Sequence, residues 1–271
     1  MARAYEHLKG LYAEIGTAFI NYETYEVTYQ CDAQTREHAY WLSVFKMPDP
    51  IWWGVRIGDA VHQMRAALDN LVYQLTVEHR GHKLGGTAFP ILNDLSVWDE
   101  VYPTGPKAGR HTSRSGLHKL RGVSDDARAV IENLQPYHGM ADMNGFGESQ
   151  QTDARIRRSL FILEKLWNID KHRVPAVVAA ASFVRRLEVT EPASLPSVAV
   201  NYGWGLPFED RTKLLFFTPH PNQEMDVKGE FQGLVLFDQS GPGDDQPVES
   251  TLAICYNDAG VALSRLESEF S

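Results

Sequence analysis

The run Gly58-Asp59-Ala60-Val61-His62-Gln63-Met64-Arg65-Ala66-Ala67-Leu68-Asp69 reads as part of one long helix. At about 100° per residue, Ile57, Val61, Met64, Leu68, Leu71 and Leu75 form a single apolar stripe. His62, Arg65, Asp69 and Tyr73 fall together on one flank of that stripe, with Arg65 nearest its edge. Asp59, Gln63, Asn70 and Gln74 take the remaining polar side. His62, Arg65 and Asp69 follow one another at helical spacing, so their side chains are in mutual reach. Charge beside a core-facing stripe is costly unless it is paired, so this flank requires a partner elsewhere in the chain.

A second run, Asn168-Ile169-Asp170-Lys171-His172-Arg173, supplies one. On a helix over about 153–173, Ile156, Leu160, Leu163 and Trp167 make the apolar stripe. Asp170 falls within it, one turn further on, while Asn168 lies to the side and His172 points away. An ionised carboxylate in that position needs a cation or several hydrogen bonds. Arg65 is the first choice, with Arg173 or Lys171 as the local alternative.

Working outward, residues 3–20 show helical period. The runs 24–31 and 38–46, rich in Tyr, Val, Thr, Trp and Phe, flank a polar 32–37 segment and predict a β-hairpin. Asp49-Pro50 starts the long helix, over about 51–79. Residues 81–122 are punctuated by Gly-Gly and X-Pro pairs and predict a long irregular segment, with Ser113-Arg114-Ser115 in a flexible loop. Ser124 caps a short helix that ends before Pro136. Residues 174–184 either continue as a helix or enter a strand. Strand-like runs then appear at 197–202, 213–218, 231–237 and 251–256, and Asn257 caps a final helix over 258–270. The fold class is therefore α+β: a helical layer, with long helices at about 51–79 and 153–173, packed on an antiparallel sheet. The expected organisation is a single compact domain over 1–271. Its helical part spans about 49–185, and its β-rich part about 22–47 plus 195–256, with the early hairpin pairing with the late strands.

Apolar residues at 43% and charged residues at 23% give an ordinary globular balance. No stretch approaches the roughly 20 apolar residues of a membrane span, and the N-terminus lacks a signal-peptide core. No membrane association and a cytoplasmic location are expected. Cys31 and Cys255 both lie in apolar runs and read as buried free thiols. The net charge of −9 argues against general nucleic-acid affinity. It is uneven, however. Residues 107–173 hold twelve Lys and Arg against eight Asp and Glu, a net of +4. That region is the expected place for RNA or another phosphate-bearing ligand. Arg155-Ile156-Arg157-Arg158 reads as a solvated face, and Trp52-Trp53 and Trp204 as core.

Three readings of the polar residues compete. In the first, Arg65, Asp69, Asp170 and Arg173 clamp two helices together. In the second, His62 or His172 is a general acid-base and Arg65 or Lys171 stabilises a developing anion, a combination suited to phosphodiester cleavage. The candidate catalytic set is then His62, Arg65, Asp69, Asp170, Lys171 and His172. In the third, Asp59, His62, Asp69, Asp170 and His172 bind a metal, although no His-Glu-x-x-His motif occurs. The sequence calls for no cofactor. Neither a phosphate-binding loop nor a Gly-x-Ser-x-Gly elbow is present.

The helix motif, Phe89-Pro90-Ile91, Leu134-Gln135-Pro136-Tyr137 and Asn168–Arg173, in that order, resemble a widespread group of uncharacterised bacterial proteins. That resemblance brings no established activity. A looser likeness is to HEPN-type helical ribonucleases, which pair an Arg and a His on one helix in a symmetric dimer. It implies a homodimer and a metal-independent ribonuclease-type effector or defence protein. The usual order there is Arg before His; here His62 precedes Arg65, and Arg114 and His118 lie in the irregular segment. The competing class is a non-enzymatic binding or interaction module with the same residues as a structural clamp.

Overall fold

The computed structural model describes residues 1–20, 24–46, 49–140, 148–171, 177–190, 201–202, 206–218, 226–238 and 246–270. The elements are α1 (Ala2–Ile20), β1 (Tyr25–Cys31), β2 (His38–Val44), α2 (Pro50–Arg80), α3 (Gly116–Lys119), α4 (Asp125–Asn133), α5 (Glu148–Asp170), β3 (Val177–Thr190), β4 (Asn201–Tyr202), β5 (Leu206–Pro207), β6 (Thr212–Phe217), β7 (Asp226–Phe237) and α6 (Val248–Ser264). The protein is an α+β fold whose strand pairs are antiparallel. By contact density it divides into two units: residues 1–8, 56–175 and 250–271, and residues 9–55 and 176–249.

In the second unit the strands form two sheets, in the orders β1-β2-β6-β4 and β5-β3-β7. The pairing of β2 with β6 joins the early hairpin to the late strands, as the sequence predicts. The α1 segment packs on this unit's β-structure through Phe19, which meets Phe208 edge-on at 5.3 Å between centroids. Gly233 in β7 is required by that packing. A Cβ there would lie 2.0 Å from the Phe19 ring, and the ring is buried. Gly233→Ala is expected to cost about 1–3 kcal/mol, the usual range for overpacking, read as a lower urea midpoint with an unchanged slope.

Several expectations need correction. The helical part does not run to 185, because β3 begins at Val177. Val-rich sequence just after Pro175 has lost the helix and favours a strand. The run 251–256 is not a strand but part of α6, and Asn257 lies inside that helix rather than capping it. Its buried positions Val248, Leu252, Cys255, Ala259 and Ala262 recur at helical spacing. In Ser113-Arg114-Ser115 two residues are engaged rather than free in a loop: Ser115 is buried and caps α3, accepting from the His118 N–H at 3.0 Å, and Arg114 pairs with Glu100. Trp53 is core, but Trp52 is about half exposed. Trp204 lies outside the described residues. Cys31 is exposed and only Cys255 is buried.

The first unit holds α2 from Arg56 onward, α3, α4, α5 and α6 from Ser250. Its core contains the predicted stripe, with Ile57, Val61, Met64 and Leu68 fully buried and Leu71 and Leu75 nearly so. On α5, Ile156, Leu160, Leu163 and Leu166 are buried. Trp167 sits at the margin of that core, half-buried.

Candidate functional site

The two polar motifs meet, with α2 and α5 running antiparallel. Gly58 lies against Asp170, and further along α2 Arg65 lies against Glu164 and Trp167. Gly58 permits the close approach: a Cβ there would fall 2.1 Å from Asp170 Oδ1.

Arg65 is 3% exposed. Its Nη2 lies 3.2 Å from Asp69 Oδ1 and donates to the Phe89 carbonyl. Its Nε is 3.9 Å from Glu164 Oε2, and its guanidinium lies 4.8 Å from the Trp167 ring centroid. Asp69 Oδ1 also accepts from the Phe89 N–H at 2.9 Å. The Arg65–Asp69 pair thus grips both polar groups of one backbone residue in the Phe89-Pro90-Ile91 motif. Gln135, fully buried, grips the next ones: its Nε2 donates to the Pro90 carbonyl at 2.9 Å, and its Oε1 accepts from the Leu92 N–H at 3.0 Å. A segment with no regular ladder still needs its buried backbone groups paired. These side chains do that work, so the α2 motif, Phe89-Pro90-Ile91 and Gln135 form one connected network.

The expected Arg65–Asp170 pair does not form. The antiparallel register explains why. Gly58 and Arg65 are seven residues apart, roughly 10 Å along a helix axis. With Asp170 opposite Gly58, the acid opposite Arg65 is Glu164. Asp170 is half-buried beside His62 and Asp59. Burial raises its pKa above the ordinary carboxylate value; His62 opposes this and Asp59 adds to it. His62 and Asp59 are exposed, and Asp59 lies 4.0 Å from His7. His172 and Arg173 lie outside the described residues.

Lys171 folds back along its helix, its Nζ 3.0 Å from the Trp167 ring centroid and donating to Asn168 Oδ1 at 3.4 Å. Asn168 in turn donates to Glu164 Oε1 at 3.2 Å. The sequence reading missed a further cation, Lys119, at the C-terminal end of α3. It is half-buried. Desolvation, then Arg65, lowers its pKa, while Glu164 and Asp69 raise it. Desolvation also leads the lowering at Lys171, where Glu164 and Asp69 oppose and Arg65 assists. The cluster therefore sets Arg65, Lys119 and Lys171 against Asp69 and Glu164. Arg65 Nη1 and Nε and Glu164 Oε2 are buried without a hydrogen-bond partner.

No family model, curated protein or solved structure matches this chain.

Among the described residues, no group of three or more His, Cys, Asp or Glu is gathered closely enough to hold a metal ion. No described helix is long and apolar enough to cross a membrane. The basic run on α5 is only partly a solvated face. Arg155 pairs with Asp258 at 3.0 Å, and Arg157 donates to the Asn133 carbonyl at 2.8 Å.

Proposed function

We propose that the chain is a non-enzymatic binding module, and that the Lys119–Lys171 cluster beside Trp167 receives the anionic group of a phosphate-bearing ligand. The observation that carries this is the charge imbalance: three cations converge from α2, α3 and α5 on two carboxylates. Desolvation leads the lowering of both lysine pKa values, and a further anion relieves the repulsion from Arg65 that adds to it. Arg65 serves as the buried anchor of this site, held by Asp69 and Phe89, rather than as a mobile catalytic cation. The free cysteines fit a reducing compartment such as the cytoplasm.

A ribonuclease is the second reading. One observation favours it: exposed His62 beside half-buried Asp170 is a usable acid-base pair.

Titration with inorganic phosphate, a nucleoside monophosphate and single-stranded RNA, followed by tryptophan fluorescence, tests both. Binding is expected to weaken with salt and to fall by at least about tenfold (~1.4 kcal/mol) in the Lys119→Ala/Lys171→Ala variant, with its circular dichroism unchanged. Equal affinity in the double variant, or no binding of any probe, overturns the module. RNA cleavage in chelator that disappears with His62→Ala would establish the second reading in its place.

A further inference from the structure

The β1–β2 hairpin carries a polar cluster unrelated to the site above. Cys31 and His38 are directly opposite in the strand register, at the end nearest the turn. Tyr29 and Cys31, two residues apart on one strand, share a face, and Tyr29 is the diagonal neighbour of His38. Cys31 Sγ lies 3.8 Å from His38 Nε2, within hydrogen-bond range for sulfur. Sγ has a second, longer contact with the Asp32 carbonyl at 4.0 Å. His38 Nδ1 lies 2.5 Å from Tyr29 Oη. The imidazole is further held by stacking on Phe217, with centroids 4.9 Å and planes 14° apart.

This is the arrangement of an activated nucleophile: a thiol, a base in reach of it, and a third group orienting the base. The thiol is exposed. Burial, and then the nearby Arg36 charge, lower the His38 pKa below the ordinary imidazole value, which favours the neutral ring that has a lone pair to offer the thiol proton. With Nδ1–H donating to Tyr29 Oη, the lone pair of Nε2 faces the sulfur.

We infer that Cys31 is a covalent-modification site for soft carbon electrophiles of the α,β-unsaturated carbonyl class, with His38, oriented by Tyr29, taking the thiol proton. In the step, the sulfur electron pair forms a bond to the β-carbon as the carbon–carbon π bond breaks. The resulting enolate then takes the proton from the His38 imidazolium at its α-carbon. No oxidant or leaving group is needed. Cys255 is the internal reference. It is buried, and burial followed by Asp258 pushes its thiol up to about 12.

N-ethylmaleimide labelling of the native chain at pH 7, followed by peptide mass mapping, tests the assignment. Cys31 is expected to be labelled and Cys255 spared. An ordinary thiol is about 3% ionised at pH 7, which limits assistance to roughly 30-fold; His38→Ala should slow Cys31 labelling by about tenfold, toward the rate of an unstructured cysteine peptide. Tyr29→Phe should slow it less. Added free imidazole should restore part of the His38→Ala rate, which a merely structural role for His38 would not allow. Labelling of Cys31 at the unstructured-peptide rate in the native chain, an unchanged rate in folded His38→Ala, or the absence of imidazole rescue overturns the inference.

Discussion

Replacing Arg65 by alanine is expected to lower stability by about 3 kcal/mol, the lower end of the range for orphaning buried charge. Arg65 is 3% exposed, so the change removes a buried cation and leaves Asp69 and Glu164 facing each other without it. The lower end applies because both acids keep some contact with solvent, at 32% and 19% side-chain exposure. The Phe89 carbonyl loses its donor at the same time. Urea unfolding measures the loss. The informative control is Asp170→Ala, which should cost less than about 1 kcal/mol, since Asp170 forms no ion pair with Arg65 and its own burial is unfavourable. Equal losses for the two variants would mean that Asp170, not Glu164, is the acid supporting Arg65.

The second large effect is expected on a different pair of helices. Asp258 on α6 is 1% exposed and accepts from Ser159 Oγ at 2.6 Å and from Arg155 Nε at 3.0 Å, both on α5. Asp258→Ala removes both hydrogen bonds and leaves the Ser159 hydroxyl buried and unpaired. A loss of about 3 kcal/mol follows, since hydrogen bonds to charged groups contribute roughly 1.5–3 kcal/mol. Arg155 is half exposed, so Arg155→Ala should cost less, about 1–2 kcal/mol. Combining Asp258→Ala with Ser159→Ala should be less than additive, because the groups share one network. Strict additivity would show that the contacts do not act together.

Asp258 also shows where sequence reasoning ran out. Within the run 251–256 the residues from Leu252 to Tyr256 are continuously apolar, and such a run is ambiguous between strand and helix. Reading it as a strand put Asp258 at the first position after a helix cap and hid the buried acid that joins α5 to α6. The stripe on α2 had no such ambiguity, because apolar and polar residues alternate at helical spacing over several turns. Lys119 was illegible for another reason. It ends a four-residue helix in a segment with no periodicity, and only the fold of residues 85–120 carries it to Arg65. Gln135 was visible as part of a motif, but its role depends on which backbone segment passes beside it.

The sequence by itself determined the α+β class, the hairpin, the two long helices and the need of the charged flank that holds Arg65 for a partner elsewhere in the chain, because periodicity and the cost of unpaired charge are local properties of the chain. Tertiary structure decided which acids. An antiparallel helix pair has one register, and a shift of two turns moves each contact by roughly 10 Å, so Arg65 meets Glu164 while Asp170 rests on Gly58. The same holds for Cys31 and His38: each reads as an ordinary strand residue, and only the hairpin register sets the thiol across from the imidazole.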